Sequence, residues 1–405
     1  MKSFRPTPIR HASSLMLLGL LAAGSAQAVS FTQGDVTLDI NGTVNGFYVN
    51  RSATVTNKAT GAESKSDNSA ISNGLLPGWI HFTATAKAGE QNVKADISFA
   101  PGINSTSSVI GLPIGDNSGG ASPATPNPYS QIDTRSAYFQ FGNDSWGTIK
   151  FGRDIGLFGQ QVILSDMTLL GVGGTTNASI PFNTTFGMIG HGYMYVGFQP
   201  QISYTTPKLG GLQAAAGIFQ PSRFAGNQTR EPGVQAMVSY DWSGPAAGKV
   251  WGGLVHQGTS CSGTCTSQPF TANGMELGAK VGLGGAEAVV YAFQGKGLGL
   301  STVGAQFLGG ADAAGNRTDS KGYLAQVTYK ITGDTKVGVN YGKNTDSDGA
   351  VGAGSSIYSK GLTLGIYHTL NKYITLTGEL NQERKDNVAT KEKNRSISLG
   401  GVLFF

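Results

Sequence analysis

Few side chains in this sequence are of the types that carry out enzymatic chemistry. Beyond the first 28 residues four histidines remain: His81, His191, His256 and His368. None of them is accompanied by a Gly-x-Ser-x-Gly nucleophile motif. Cys261 and Cys265 have no His, Asp or Glu within four residues, so they lack the further ligands that a metal site needs. They are the only two cysteines, and this even number favours a short disulfide across a loop. The sequence predicts no enzyme, no metal site and no cofactor.

The composition is unusual for a soluble domain. Of 405 residues 61 are Gly, 13% are charged and 39% are hydrophobic, whereas about 25% charged residues and about 7% Gly are typical. The 14 Tyr, 19 Phe and 4 Trp are spread along the chain and argue against disorder. The longest apolar run, Leu15–Ala23, is shorter than the ~18 residues that a membrane-spanning helix needs. A helical transporter is excluded.

The first 28 residues have the organisation of a secretory signal peptide. Lys2, Arg5 and Arg10 form a positive region, Leu15–Gly24 is apolar, and the segment 26–28 reads Ala-Gln-Ala, a small-residue cleavage site. We expect cleavage to leave residues 29–405 as the mature chain. Its formal net charge is +2 instead of +5, so the basic composition gives no support to nucleic-acid binding. Export also fits a disulfide.

Beyond this segment, apolar and polar residues alternate with a period of two. Val337, Val339 and Tyr341, for example, alternate with Gly338 and Asn340. This period is that of a β-strand with one apolar and one polar face. A soluble sandwich would show the same pattern, so the alternation alone does not place the apolar face in lipid.

The connections between these strands decide that question. Short turns near 89–90, 142–145, 208–211, 244–248, 284–285, 333–334 and 371–372 alternate with long polar loops near 51–72, 102–130, 155–199, 221–233, 258–272, 297–320, 344–358 and 383–394. Fifteen such connections join sixteen strands. Short turns on one side and long loops on the other are typical of outer-membrane barrels. The sequence predicts an all-β fold, a transmembrane antiparallel β-barrel of about 16 strands, with 18 left open, around an aqueous lumen.

Aromatic residues support this interpretation. The last strand, 395–405, places apolar residues on one face and ends on Phe405, which resembles the signal that the insertion machinery of bacterial outer membranes reads. Aromatic residues near strand ends are predicted to form girdles at the two membrane surfaces: Trp79, Trp146, Trp242, Trp251 and Tyr373.

One stretch carries a family pattern. Thr134–Arg153 contains an arginine, an Ala-aromatic step, a short turn, Gly-Thr and Gly-Arg, in an order and spacing that resemble the trimeric general diffusion porins of Gram-negative outer membranes. Ser-Asp-Met at 165–167, followed by Gly-Gly at 173–174, resembles the constriction loop of that family, and Ser203–Leu212 resembles the strands that follow it. The resemblance implies a homotrimer of 16-stranded barrels, each with its third loop, 155–199, folded inward.

The resemblance also assigns roles to four charged residues at the pore constriction. Arg135 matches a wall arginine, Asp166 a loop carboxylate and Arg153 the Gly-Arg near the root of the loop, with Lys150 beside it. A second interpretation stays open for each. Arg135 could pair with Asp133 without touching solute, Asp166 could stabilise the loop by accepting its backbone N–H groups, and Arg153 could tie the loop to the wall. Lys150 could face either side.

The sequence departs from the family pattern at the constriction. Leu170 stands where a second loop acid is expected, and Thr43 and Trp79 stand where wall bases are expected. Because an acid is missing while the bases near Arg135 remain, we expect a positive local balance. This predicts a weak preference for anions and modest permeability to small organic acids.

These features together predict an outer-membrane porin, a water-filled channel for passive diffusion of small hydrophilic solutes. The alternative is a barrel that acts mainly as an adhesin or structural protein through its external loops. Outer-membrane lipid is an expected partner. The charged segment 383–395 is either a solvated loop or a contact for lipopolysaccharide phosphates.

Overall fold

A computed structural model describes residues 28–103, 132–177, 184–221, 229, 231–260, 268–307 and 309–405. Nearly all of this chain is extended. In the described ranges no helix is both long enough and apolar enough to cross a membrane. The predicted signal peptide and the predicted disulfide partners Cys261 and Cys265 lie outside the described residues, so both remain predictions.

The strands follow the period-two segments of the sequence. Their bounds are β1 Val29–Gln33, β2 Val36–Asn57, β3 Glu63–Ser72, β4 Trp79–Ala88, β5 Gln91–Pro101, β6 Ile132–Asn143, β7 Gly147–Ile155, β8 Gly174–Asn177, β9 Thr185–Gly187, β10 Phe198–Thr205, β11 Leu212–Phe219, β12 Gly233–Trp242, β13 Ala246–Gly258, β14 Thr271–Leu283, β15 Ala286–Lys296, β16 Asp319–Lys330, β17 Thr335–Ser347, β18 Ser356–Thr369, β19 Ile374–Asp386 and β20 Thr390–Phe404. A short helix α1, Gln160–Ile163, and a 3-10 turn, Met167–Leu170, lie between β7 and β8.

The strands close into an antiparallel barrel of sixteen strand positions. Each strand pairs with its sequence neighbours, and β20 returns to pair with β2 over residues 43–57 and 390–404. β3 and β4 share one position, because both pair with β2 and an irregular segment, 73–78, separates them. β1 forms a small hairpin with the start of β2, and β8 and β9 pair with each other apart from the wall. The predicted strand count is confirmed.

The two faces of the wall differ as the alternation predicts. In the row where Val339 faces Leu364 across the strands, the side chains are 39% and 48% exposed and apolar, as a lipid-facing surface requires. Their neighbours Asn340 and Thr363 point to the interior and are fully buried. A closed barrel leaves no strand edge in lipid, so the backbone polar groups are paired. The apolar face is on the outside.

Three details of the sequence prediction are wrong. The first loop was expected over 51–72, but strands β2 and β3 continue to a connection of only a few residues, because their alternation persists above the apolar band. The last loop was expected over 383–394, but β19 continues to Asp386 and β20 begins at Thr390 for the same reason. Trp79 and Trp251 do not join an aromatic girdle. They point inward, 6% and 2% exposed, and pack on lumen residues.

Candidate pore constriction

The third loop runs through the barrel interior between β7 and β10. Its apolar side chains Phe158, Ile163 and Met188 belong to one buried cluster with wall residues that include Trp251 on β13 and Tyr291 on β15. This cluster is the largest apolar one among the described residues, and two smaller ones, around Phe47 and Val172 and around Leu157 and Phe219, also lie inside the barrel. The inward course of the loop, predicted from the family resemblance, is confirmed.

Polar wall side chains hold the backbone of this loop. Gln235 on β12 accepts the N–H groups of Leu157 and Phe158, at 2.8 and 3.0 Å. Glu276 on β14 accepts the N–H of Gly159 at 2.8 Å, and Gln326 on β16 accepts that of Met167 at 2.7 Å.

A further acid on β19 completes this row of anchors. Glu379 accepts the N–H groups of Val172 and Gly173 at 2.8 and 2.7 Å, and the hydroxyl of Tyr367 at 2.7 Å. The loop therefore lies along the wall from β12 to β19, and the wall from β4 to β7 forms the other boundary of the passage.

Asp166 lies at the centre of the loop and does not face the lumen. Its carboxylate is 1% exposed. Oδ1 accepts the N–H and the hydroxyl of Thr168, at 2.9 and 2.8 Å, and the amide of Asn340 at 3.3 Å. Oδ2 accepts the hydroxyl of Tyr193 at 2.7 Å and the N–H of Met188 at 3.2 Å. Of the two interpretations from sequence, this geometry supports loop stabilisation.

Arg135 lies on the inner wall, is 7% exposed and is already paired. Its Nε is 3.1 Å from Oδ2 of Asp133. The guanidinium lies 5.9 Å from the ring centre of Trp79 and 5.5 Å from that of Phe198, which are cation–π distances. Trp79 itself faces Thr43 across β4 and β2, and both side chains are buried on the inner face of the wall. The pair with Asp133 makes the local charge at Arg135 close to neutral.

Lys150 also faces inward and is paired. It forms an ion pair with Asp154, and its ammonium lies 4.7 Å from the ring centre of Tyr138. Lys94 on β5 approaches the same ring from the other side, at 5.6 Å. Two lysines and one acid therefore lie around the Tyr138 ring on this part of the inner wall.

Arg153 lies on the other face of the same strand. The strand pairing sets it in one row with Ala137 and Pro200, both exposed, and with Ile97 beyond them. Two residues three positions apart in a strand point to opposite faces, so Lys150 and Arg153 do not line the same surface. The structure brings Arg135 and Lys150 to the inner wall, Asp166 to the loop interior and Arg153 to the outer surface.

A cluster that the sequence did not reveal fixes the far end of the loop. His191 Nε2 lies 2.6 Å from Glu383 on β19, and His191 Nδ1 lies 2.6 Å from the hydroxyl of Ser359 on β18. All three side chains are buried. The sequence could not reveal this cluster, because partners about 170 and 190 positions away leave no local signal.

A second inward segment, between β15 and β16, packs on the third loop. Asp346 accepts the N–H groups of Ser301 and Thr302, at 3.1 and 2.9 Å. Asn344 donates to the carbonyls of Tyr193 and Ser301, at 3.1 and 2.8 Å, so one side chain holds both segments.

Sequence comparison gives the family. A sequence model described as Gram-negative porin matches residues 12–388. The chain belongs to the Gram-negative porin family. Its place is therefore the bacterial outer membrane. Comparison with curated protein sequences finds no match.

Solved porin structures share the fold. The outer-membrane channel DcaP of Acinetobacter baumannii superposes with a TM-score of 0.65 at 15% identity, covering 94% of this chain and all of that one. An anion-selective porin from Comamonas acidovorans gives 0.58 at 17% identity, with 91% and 100% covered. Salmonella typhi OmpF, in complex with daunomycin, gives 0.54 at 13% identity, with 92% and 100% covered. At these identities the likeness concerns the fold.

Proposed function

We infer that this porin forms a water-filled channel through which small hydrophilic solutes diffuse passively across the outer membrane. The observation that carries the inference is the third loop, fixed along one side of the lumen while a wall of polar and charged residues forms the other side. A narrowed polar passage selects solutes by size and charge and needs no reaction chemistry.

Planar-bilayer recording tests this function directly. Purified folded protein should give stepwise conductance that rises in proportion to salt concentration. Heat-denatured protein from the same preparation is the control. Folded protein that inserts but gives no conductance would overturn the channel.

We further propose a weak preference for anions, supported by lysines on the inner wall near the short turns. Lys249 and Lys280 face each other directly across β13 and β14, and Lys330 and Lys336 across β16 and β17. Lys249 is 3.3 Å from Asp241, and Lys280 is 2.9 Å from Glu287.

The other two lysines form no ion pair in the described part of the chain. Among the described residues Lys330 and Lys336 have no acid within 4.0 Å. A positive potential remains at this end of the lumen and attracts anions. The structurally similar porin from Comamonas acidovorans is described as anion-selective, which agrees with the proposal. A zero-current potential in a salt gradient that indicates clear cation preference would contradict it.

We propose that the barrel catalyses no reaction. Among the described histidines, His191 has both a serine and an acid as partners, but Ser359 is fully buried and all three groups fasten the loop. Incubation with p-nitrophenyl acetate should give the same hydrolysis for the wild type and for Ser359→Ala. Hydrolysis that depends on Ser359 would refute this part of the proposal.

The functional unit that we propose is a homotrimer. A structurally similar outer-membrane protein of Vibrio cholerae, OmpT, is described in a trimer form, at 14% identity and a TM-score of 0.52. In this chain Phe139 and Phe151 stack on the outer face of the barrel, with ring centres 5.2 Å apart. Arg153 lies on the same face, and its Nε is buried without a hydrogen-bond partner among the described residues. We propose that this part of the outer face contacts a neighbouring subunit. Native mass measurement should give a trimer, and Arg153→Glu should weaken it. A monomeric wild type would overturn the trimer.

A further inference from the structure

A cavity lies at the long-loop end of the barrel, between the two inward segments and the wall of β18 to β20. Its volume is about 190 Å³, and an apolar cavity of about 150 Å³ already holds benzene. Val303 and Asn387 in its lining are exposed, so this outer cavity opens toward the mouth of the channel. Its lining includes Phe186 and Ile189 of the third loop, Val303 of the second inward segment, and Lys385, Asn387 and Glu392 from β19, β20 and their connection.

Several polar groups of the lining already have partners. His191 lines the outer cavity, and its two ring nitrogens lie 2.6 Å from Glu383 and 2.6 Å from the hydroxyl of Ser359. Thr302 donates its N–H and its hydroxyl to Asp346, at 2.9 and 2.8 Å. These bonds fix the shape of the outer cavity before a ligand arrives, which lowers the cost of binding. Recognition of a ligand therefore falls to the remaining polar groups of the lining.

Charges of both signs meet at the outer cavity. Lys385 and Glu392 lie directly opposite each other on β19 and β20, and both line it. Oε1 of Glu392 accepts hydrogen bonds from Arg51 at 3.0 Å and from Asn394 at 2.7 Å, whereas Oε2 takes part in neither bond. Glu383, which holds one lining side chain, is a second acid beside it. Two bases and two acids therefore surround the outer cavity.

This balance of charge determines which solute fits. A lone anion would meet the two acids and a lone cation the two bases, and neither would be fully compensated for its lost hydration. A molecule with both a carboxylate and an ammonium places each group beside the opposite charge, where charge-assisted hydrogen bonds form. Phe186, Ile189 and Val303 offer an apolar surface to a short hydrocarbon side chain.

We propose that the outer cavity binds a small zwitterion, an α-amino acid with a short apolar side chain, before the solute enters the passage. The carboxylate of the ligand binds the ammonium of Lys385, and its own ammonium binds Oε2 of Glu392. The amide of Asn387, at the rim, supplies both a donor and an acceptor. This proposal rests on the proposed channel and names one class of its solutes.

Isothermal titration calorimetry of the detergent-solubilised protein tests the proposal with ligands of similar shape. L-Leucine carries both charges, isocaproate lacks the ammonium, and isoamylamine lacks the carboxylate. The test variants are Lys385→Gln, Glu392→Gln and Val303→Trp, whose larger side chain fills the outer cavity. Ile331→Trp is the matched control, because Ile331 is 55% exposed and Val303 52%, but Ile331 lies beside a short turn at the opposite end of the barrel. Heat-modifiable migration in gels verifies that every variant is a folded barrel.

The wild type and the control should bind L-leucine at least about tenfold more tightly than either analogue, because both charged ends are paired. Lys385→Gln should weaken L-leucine about tenfold without weakening isoamylamine, and Glu392→Gln should weaken it without weakening isocaproate. Val303→Trp should abolish binding. Equal affinity of the wild type for L-leucine and for one analogue would overturn the zwitterion assignment, and unchanged binding by Val303→Trp would overturn the outer cavity as the site.

Conductance separates this proposal from the channel itself. A wild type that conducts but does not bind L-leucine refutes the outer cavity as a binding site and leaves the channel standing. A wild type that binds L-leucine in detergent but does not conduct in bilayers refutes the channel alone.

Discussion

Replacing Asp166 by Asn tests whether this carboxylate holds the loop or lines the passage. An asparagine has one acceptor oxygen in place of two and presents N–H groups in place of the other. If its oxygen keeps the partners of Oδ1, the N–H of Met188 at 3.2 Å and the hydroxyl of Tyr193 at 2.7 Å lose their acceptor. The tyrosine hydroxyl can rotate and accept instead, whereas the backbone N–H cannot.

The size of the effect follows from these contacts. A hydrogen bond to a charged group contributes about 1.5–3 kcal/mol, and a buried donor without an acceptor costs about 1–3 kcal/mol. We expect the docked loop to lose about 2–4 kcal/mol, which raises its undocked fraction about 30- to 1000-fold. The barrel wall should keep its stability, because the strand ladders do not involve Asp166.

Hydrogen–deuterium exchange measures this change segment by segment. Peptides that contain Thr168 and Met188 should exchange faster in Asp166→Asn, while peptides from β14 and β15 should not change. Asp334→Asn, in an exposed short turn, is the control. Unchanged exchange in the loop, together with a shifted zero-current potential, would show that the carboxylate faces solute and that the burial argument is wrong.

Three further predictions concern the wall. Arg135→Ala should lower the anion-to-cation permeability ratio and Asp133→Asn should raise it, each about two- to tenfold, as measured by zero-current potential. Each change leaves the charge of the former partner unpaired, and one unit charge acts on an ion ~8 Å away with about 2 kcal/mol before screening. Unchanged potentials would place the pair away from the passage. Lys336→Gln should lower the same ratio with conductance retained, and a rise in the ratio would contradict the role of the lysines. Gly342→Ala should make the third loop exchange its amide hydrogens faster, because a Cβ at this position would lie 2.1 Å from the carbonyl oxygen of His191. Gly333→Ala is the control and should match the wild type, because a Cβ at Gly333 has no atom within 4 Å.

The fold could be predicted because it depends on patterns among residues that are close together in the sequence. The alternation of Val339 and Asn340 on opposite faces, and the regular spacing of short turns, gave the barrel and its strand number. These signals need only neighbouring residues. The same locality explains the error at 51–72, where polar residues continue a strand above the apolar band and resemble a loop.

The constriction could be predicted only in part, because its geometry depends on distant partners. The family resemblance placed Arg135 on the inner wall, but its pairing with Asp133 stayed one of two interpretations. Strand parity alone separates Lys150 from Arg153, and the glycine between them obscured that parity. The partnership of His191 with Glu383 could not be read from sequence, since two elements far apart in the chain create it.

The pairing of β2 with β20 determines when the barrel can form. Residues 43–57 emerge early from the export machinery, and their partners 390–404 emerge late. Until residues 390–404 pair with it, β2 has an unpaired edge, and such an edge can pair with strands of other chains and cause aggregation. Contacts separated by about 350 residues also make folding slow, since a long loop must close before they form. The chain therefore depends on being held unfolded between export and insertion.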